Sequence, residues 1–304
     1  MMSQNPLSQE SYFIRVTQTD TLHLKRIYQN PAGIPVFMLH GAIENGRIFY
    51  SDSGKGLASF LAKAGYDVYI ADLRGHGFSR PAVSQKSAYG QTENITEDIP
   101  AFINQIVRIR GEIPQHWIAH SWGGVLLSSY LARFNRHRRL VRSLVYFGVK
   151  RNVRVWNLHR LFKIDLIWKG FCGLLVKFYG YLPAKKYGIG SDDESAKSHR
   201  QSKLWVKRSP WRDTDDNFDY SRAIANFSLP PALYLAALND RCLGHPDDVR
   251  DFMNESGKHI SKQLILSKAD GNRHDYDHIS MLTHKDAVDD HFLTVLEWLR
   301  QNER

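Results

Sequence analysis

The chain has 304 residues, 42% of them hydrophobic and 24% charged, enough for one large α/β domain with an insertion or for two modest domains. Its net charge of +10 and pI near 9.5 favour acidic partners, yet no zinc-ligand spacing or nucleic-acid motif accompanies the charge, and no nucleic-acid partner is expected. Cys172 and Cys242 alone exclude a disulfide framework, MMSQNPLSQE lacks the marks of a secretory signal, and no stretch nears the roughly 18 apolar residues of a membrane span, so a soluble, cytoplasmic protein is expected.

In chain order, SYFIRV and LHLKRI between Ser11 and Ile27 alternate and are split by polar TQTDT, which predicts an opening hairpin. PVFML, Pro35 to Leu39, is a short apolar run of the kind buried in parallel sheets. The helix pattern GLASFLAKAG stops at Gly65, and the strand DVYIA ends in the turn-rich DLRGHG. A second helix is expected from about Glu97 to Arg110, with Asn94 and Thr96 as candidate caps. QHWIA (Gln115 to Ala119) reads as a strand, VLLSSYLARF as a helix and LVRSLVYFG (Leu140 to Gly148) as a strand. This alternation predicts a doubly wound, mostly parallel sheet with helices on both faces.

The pattern breaks between about Arg151 and Leu229, where fifteen Lys and Arg face eight Asp and Glu and no clear strand is visible. It then resumes with the strand ALYLAAL, the helix start PDDVRDFM, the strand ISKQLIL and the closing amphipathic helix VDDHFLTVLEWLRQ. The expected organisation is therefore a core of residues 1–150 and 229–304, interrupted by a mainly helical cap of residues 151–228.

The strongest local signal is AHSWGG, Ala119 to Gly124, between a strand and a helix. A serine on such a turn projects its hydroxyl above the sheet, and the residues two before and two after it must be small, as Ala119 and Gly123 are. A serine hydroxyl needs a histidine base oriented by a carboxylate. Asp240 follows the strand ALYLAAL directly, whereas Asp247 and Asp248 suit helix capping. Of the histidines after ISKQLIL, His278 precedes an apolar stretch that can anchor its loop, His274 sits in a polar context, and His284 lies deep in the final segment. The N–H groups of Trp122 and of Ala42, beside Gly41, are the expected oxyanion donors.

With these residues in place, the chain resembles the α/β-hydrolase family, and within it the esterase and monoacylglycerol-lipase-like members. Four features carry the resemblance: His40-Gly41, the DLRGHGFS segment from Asp72 to Ser79, the AHSWGG elbow, and the order Ser121, Asp240, His278. It implies a serine hydrolase of a lipid or other hydrophobic carboxylic ester, working without cofactor or metal, in which Arg74, His76 and Ser79 are structural. An acyltransferase, a thioesterase or a non-catalytic ligand-binding member of the same fold are the alternatives. Within the cap, Leu161 to Pro183 is apolar and aromatic with interspersed lysines. It suits core packing, an acyl pocket, or peripheral contact with an anionic membrane through Trp168, Phe171 and Phe178 with Lys163, Lys169 and Lys177. The stretch from Gly188 to Arg200, with its SDDES run, reads as flexible and polar rather than as a site.

Overall fold

Apolar strands and amphipathic helices alternate to build one eight-stranded sheet in a computed structural model that describes residues 6–207 and 210–303. β1 (Ser8–Arg15) and β2 (Thr21–Tyr28) form the opening antiparallel hairpin, in register from Ser8 opposite Tyr28 to Arg15 opposite Thr21. β3 (Pro35–Leu39), β4 (Asp67–Asp72), β5 (Gln115–His120) and β6 (Val141–Phe147) follow. A two-stranded hairpin, β7 (Tyr181–Leu182) with β8 (Glu194–Ser195), lies between β6 and the last two strands of the sheet, β9 (Ala232–Ala237) and β10 (Ser261–Leu266).

The strand order is β1-β2-β4-β3-β5-β6-β9-β10, and all neighbours from β4 to β10 are parallel. The winding reverses at β3, with β4 on one side and β5 on the other. Such a reversal opens a crevice beyond the carboxyl ends of the strands, where ligands settle in open α/β sheets.

The central strands read as unbroken apolar runs because both of their faces are covered. Phe37 and Leu39 pack under the helices Ile99–Arg110 and Trp122–Arg133 through Phe102 and Val125. Val36 and Met38 belong to the opposite layer, with Leu61 of the helix Leu57–Lys63 and Val295 of the helix His291–Gln301. Each such side chain contributes about 1.5–3 kcal/mol on burial, which makes the period-two strand faces decisive for register.

One helix begins earlier than its sequence suggests. Instead of starting near Glu97 behind Asn94 or Thr96, helical structure opens at Gln91–Glu93, widens at Asn94–Asp98 and continues as Ile99–Arg110. Its cap is partly local and partly distant. The Glu93 carboxylate accepts the Gly90 N–H at 2.6 Å, and Gln201 Oε1, far along the chain, accepts the Gln91 N–H at 2.6 Å. The Thr96 hydroxyl donates inside the helix to the Thr92 carbonyl at 2.7 Å.

Between β6 and β9 helical turns run through Leu158–Arg160, Leu161–Phe171 and Cys172–Tyr179, ending at Gly180 in the left-handed conformation, φ 76°. After the β7–β8 hairpin come the helices Ala196–Trp205 and Tyr220–Ala225. The hairpin has only two residues per strand, too few for alternation to show. Trp205, Trp211, Tyr220 and Ile224 join the same buried cluster as the Trp122–Arg133 helix, which roots this part of the insertion in the core.

Candidate active site

The site assembles at the carboxyl ends of β3, β5 and β9. β5 ends at His120 and the helix begins at Trp122, so the chain reverses within one residue. That residue, Ser121, takes φ 49° and ψ −123°, a conformation an L-residue holds only when its surroundings enforce it. Its N–H donates to the Phe147 carbonyl at 2.8 Å, which ties the turn to the end of β6. A Cβ at Gly123 would stand 2.4 Å from the His40 carbonyl oxygen and 2.6 Å from that of Leu39, so the helix start lies directly against the end of β3.

Ser121 Oγ lies 2.9 Å from His278 Nε2, and His278 Nδ1 lies 2.5 Å from Asp240 Oδ2. Asp240, just past β9, accepts the Leu243 N–H at 2.8 Å on its other oxygen, which leaves Oδ2 for the imidazole. Burial pushes the Asp240 carboxyl up, but the His278 ring, reinforced by Lys150, outweighs it and holds the group at about 2. Burial pulls His278 below the ordinary histidine value, with His120 and Lys150 adding to the effect and Asp240 opposing it. A neutral imidazole carrying its proton on Nδ1 suits this arrangement, because Nε2 is then free to accept the serine proton.

The remaining candidates separate clearly. His274 Nε2 pairs with Asp286 at 2.7 Å and its ring lies against His284, away from Ser121. Asp247 is exposed and bonds Arg250, while Asp248 accepts the Arg154 N–H at 2.7 Å and the Val155 N–H at 3.2 Å. The anchor expected behind His278 is Met281 and Leu282, both buried in the core.

Ala42 and Trp122 line the same cavity as Ser121 and His278, and among the described residues neither N–H has an acceptor within the protein. A Cβ at Gly41 would sit 2.9 Å from Ser121 Cβ, so a glycine is needed for this loop to pass the serine. The next residue but one, Ile43, is held at φ 51°, a strained choice for a β-branched side chain. The cap enforces it: the Ile43 carbonyl accepts the Ser191 N–H at 2.9 Å and the Asp192 N–H at 3.1 Å. Asp192 Oδ2 also accepts from Asn45 Nδ2 at 2.7 Å and from the Gly77 N–H at 2.8 Å. Glu194 is buried with its carboxylate 3.8 Å from His76 Nε2. The SDDES run is therefore an ordered clasp between the cap and the loop of Gly41 to Asn45, not a flexible polar stretch. The core side of the clasp belongs to DLRGHGFS, where Arg74 is bound by Asp98 and Glu97 and His76 Nδ1–H donates to the Glu44 carbonyl at 2.7 Å.

Sequence reasoning missed a second carboxylate–imidazole pair. Glu44 Oε2 accepts the Gly41 N–H at 3.0 Å and lies 2.8 Å from His120 Nδ1, while His120 Nε2 lies 2.9 Å from the His278 carbonyl oxygen. Both His120 nitrogens face acceptors, so both carry hydrogen and the ring is an imidazolium paired with Glu44. Burial opposes that charge on both partners, yet their attraction wins: Glu44 is held at about 2 and His120 is raised. The pair ties the loop from Gly41 to Glu44 to the loop that carries His278. These same donor atoms, with those of His278, are close enough to group around a cation, as are those of His274, His284 and Asp286, but in the first group the hydrogen bonds already occupy them.

The cavity over Ser121 holds about 780 Å³, and its wall is largely apolar, including Ile48, Val153, Ile164, Ile167, Trp168 and Leu243. Several of these belong to the cap, so the cap roofs the site.

Comparison with known proteins agrees with this geometry. Residues 34–269 match the family model described as alpha/beta hydrolase fold. The chain is 29% identical over 106 residues to a probable lysophospholipase L2 of Haemophilus influenzae, covering 34% of each chain. It is 33% identical over 95 residues to the gastric triacylglycerol lipase of Homo sapiens, covering 29% of this chain and 24% of that one. The matched stretches thus span only about a quarter to a third of these relatives' own length. Among solved structures, DcsB in complex with its substrate analogue superposes with a TM-score of 0.63 at 15% identity, over 97% of this chain and 100% of that one. An esterase from Pyrococcus furiosus gives 0.60 at 15% identity, over 98% and 92%. With more than half of its length matched by the family model, the chain belongs to the alpha/beta hydrolase fold family.

Proposed function

We propose that this chain is a serine hydrolase of carboxylic esters with hydrophobic acyl groups, acting through an acyl-enzyme. The observation that carries the reading is the continuous relay Ser121 Oγ–His278 Nε2 and His278 Nδ1–Asp240 Oδ2, set beside the N–H groups of Ala42 and Trp122, which have no acceptor among the described residues. Ser121 Oγ attacks the ester carbonyl while His278 Nε2 takes its proton. The N–H groups of Ala42 and Trp122 stabilise the oxyanion, an effect worth about 3–4 kcal/mol per donor. His278 then gives the proton to the departing alkoxide, leaving the acyl group on Ser121. Water, deprotonated by the same imidazole, releases the carboxylic acid and restores the hydroxyl. The apolar cavity supports a fatty or aromatic acyl chain, and the lipase names of the sequence relatives agree with it.

The reading extends to location. Among the described residues no helix is long and apolar enough to cross a membrane. Leu158, Phe162, Leu166, Leu174 and Phe178 nevertheless follow one another at multiples of four along the outer face of the cap helix, all exposed. With Lys163 and Lys177 beside them, they support peripheral contact of a cytoplasmic protein with an anionic bilayer.

Labelling with a fluorophosphonate probe, followed by location of the adduct, tests the mechanism. Modification at Ser121, abolished in Ser121→Ala, is expected. A folded wild type that stays unlabelled and turns over no ester would overturn the reading in favour of a ligand-binding protein.

A further inference from the structure

One charged group is built into the apolar wall of the cavity. Lys150, three residues past the end of β6, is only 7% exposed and lines the cavity together with Ser121, Trp122 and His278. Among the described residues, no carboxylate comes within ion-pair distance of its ammonium and no acceptor is hydrogen-bonded to it. The carboxylates around it are engaged elsewhere: Asp240 by His278 and the Leu243 N–H, Glu44 by His120 and the Gly41 N–H. Asp248 spends one oxygen on the Arg154 and Val155 N–H groups, and its other oxygen is buried without a hydrogen-bond partner and makes no ion pair with Lys150.

A buried ammonium with three donors and no acceptor is costly, and burial pushes the Lys150 pKa down even with Asp240, Asp248 and Glu44 nearby. An apolar side chain of the same length would fill this wall without that cost. Lys163, an exposed residue of the cap, lines the same cavity and adds a second cation at its edge.

We infer that Lys150, with Lys163 at the edge of the cavity, is an anion-binding subsite, so the ester cleaved here carries a carboxylate or phosphate in addition to its scissile bond. This rests on the serine-hydrolase reading and narrows its substrate class. The anion supplies the acceptors that the protein withholds from Lys150, in a cavity whose apolar walls strengthen the attraction. A neutral ester of the same length leaves the ammonium unpaired, which is the situation in which a site discriminates most strongly.

The test compares matched esters in two arms. Mono-4-nitrophenyl glutarate against 4-nitrophenyl pentanoate places the charge on the acyl side; lysophosphatidic acid against the monoacylglycerol of the same chain places it on the alcohol side. In the wild type the anionic member of at least one pair is expected to win in kcat/KM by about ten-fold or more. Lys150→Met brings that ratio close to one, and Lys163→Gln lowers it by less, chiefly through KM. The ratio is the readout because Lys150 also influences Asp240 and His278, so both rates can move together. A wild-type ratio near one in both arms, or a ratio untouched by Lys150→Met, overturns the subsite and leaves Lys150 as a countercharge of the triad. Fluorophosphonate labelling of Ser121 in the same preparations separates the two failures. Labelling without preference sinks the subsite alone, and absence of labelling sinks the hydrolase reading beneath it.

Discussion

Gly123→Ala probes the close approach on which the whole site depends. The added Cβ would lie 2.4 Å from the His40 carbonyl oxygen and 2.6 Å from that of Leu39, about 1 Å inside ordinary contact. Both obstacles are backbone atoms at the end of β3, so no side-chain rotation relieves them. Either the Trp122–Arg133 helix lifts or the β3 end retreats, and the first carries the Trp122 N–H while the second leads into the Ala42 N–H. A displacement of about 1 Å at reacting groups costs on the order of 100-fold in rate. Overpacking of this kind costs about 1–3 kcal/mol of stability, or roughly 2–12 °C in Tm. The expected outcome is thus kcat on a 4-nitrophenyl ester lowered by about two orders of magnitude, slower fluorophosphonate labelling, little change in KM, and a Tm lower by several degrees. Gly170→Ala is the control, because its Cβ would meet only the Asp165 carbonyl oxygen at 3.5 Å, an ordinary contact. Wild-type kcat and Tm in Gly123→Ala would refute the steric reasoning about the elbow.

Two further outcomes follow from the cap. If the exposed apolar row on the cap helix meets lipid as proposed, co-sedimentation with vesicles of equal phosphatidylglycerol and phosphatidylcholine is expected. It should weaken several-fold in Phe162→Ser/Phe178→Ser and with rising salt; equal sedimentation of wild type and double variant would exclude this face. The clasp predicts a pH-dependent stability. Burial lowers the pKa of His76, but Glu194 and the Glu44 carbonyl more than reverse this, raising it from the usual 6.5 to about 9. A raised histidine pKa stabilises the fold fully below its unfolded value and loses that effect as pH climbs through the folded one. The Tm gap between wild type and Glu194→Gln should therefore be widest near pH 6 and close by about pH 10. A gap independent of pH would show that Glu194 acts by packing alone.

What could be read in the sequence depended on how far each determinant reaches. The strands of the large sheet are written in runs of five to eight residues; Ser121 directly follows one, Asp240 stands three residues past another, and His278 lies in the loop between β10 and the closing helices. Local context also matched the placement of the two histidines: the apolar Met281 and Leu282 behind His278 are buried in the core, while His274 turns to Asp286. The failures are all pairings across long stretches of chain. The helix start at Gln91 was hidden because its acceptor is Gln201, and the SDDES run looked solvated because Ile43, Asn45 and Gly77 lie more than 100 residues before it. Glu44 and Lys150 carried no local signal, and His120, although inside AHSWGG at the end of β5, showed nothing of its pairing with Glu44: each is an ordinary charged or polar residue until the sheet closes.

These illegible residues surround the relay of Ser121, His278 and Asp240. A buried charge is tolerated only where tertiary structure supplies its partner, so no short window of sequence can show whether it is satisfied. Glu44 finds His120, Glu194 finds His76, and each pair spends its attraction on fixing a loop of the site. Lys150 alone among these finds no partner among the described residues, and it lines the cavity. By the rule the other charges obey, its partner arrives with the substrate.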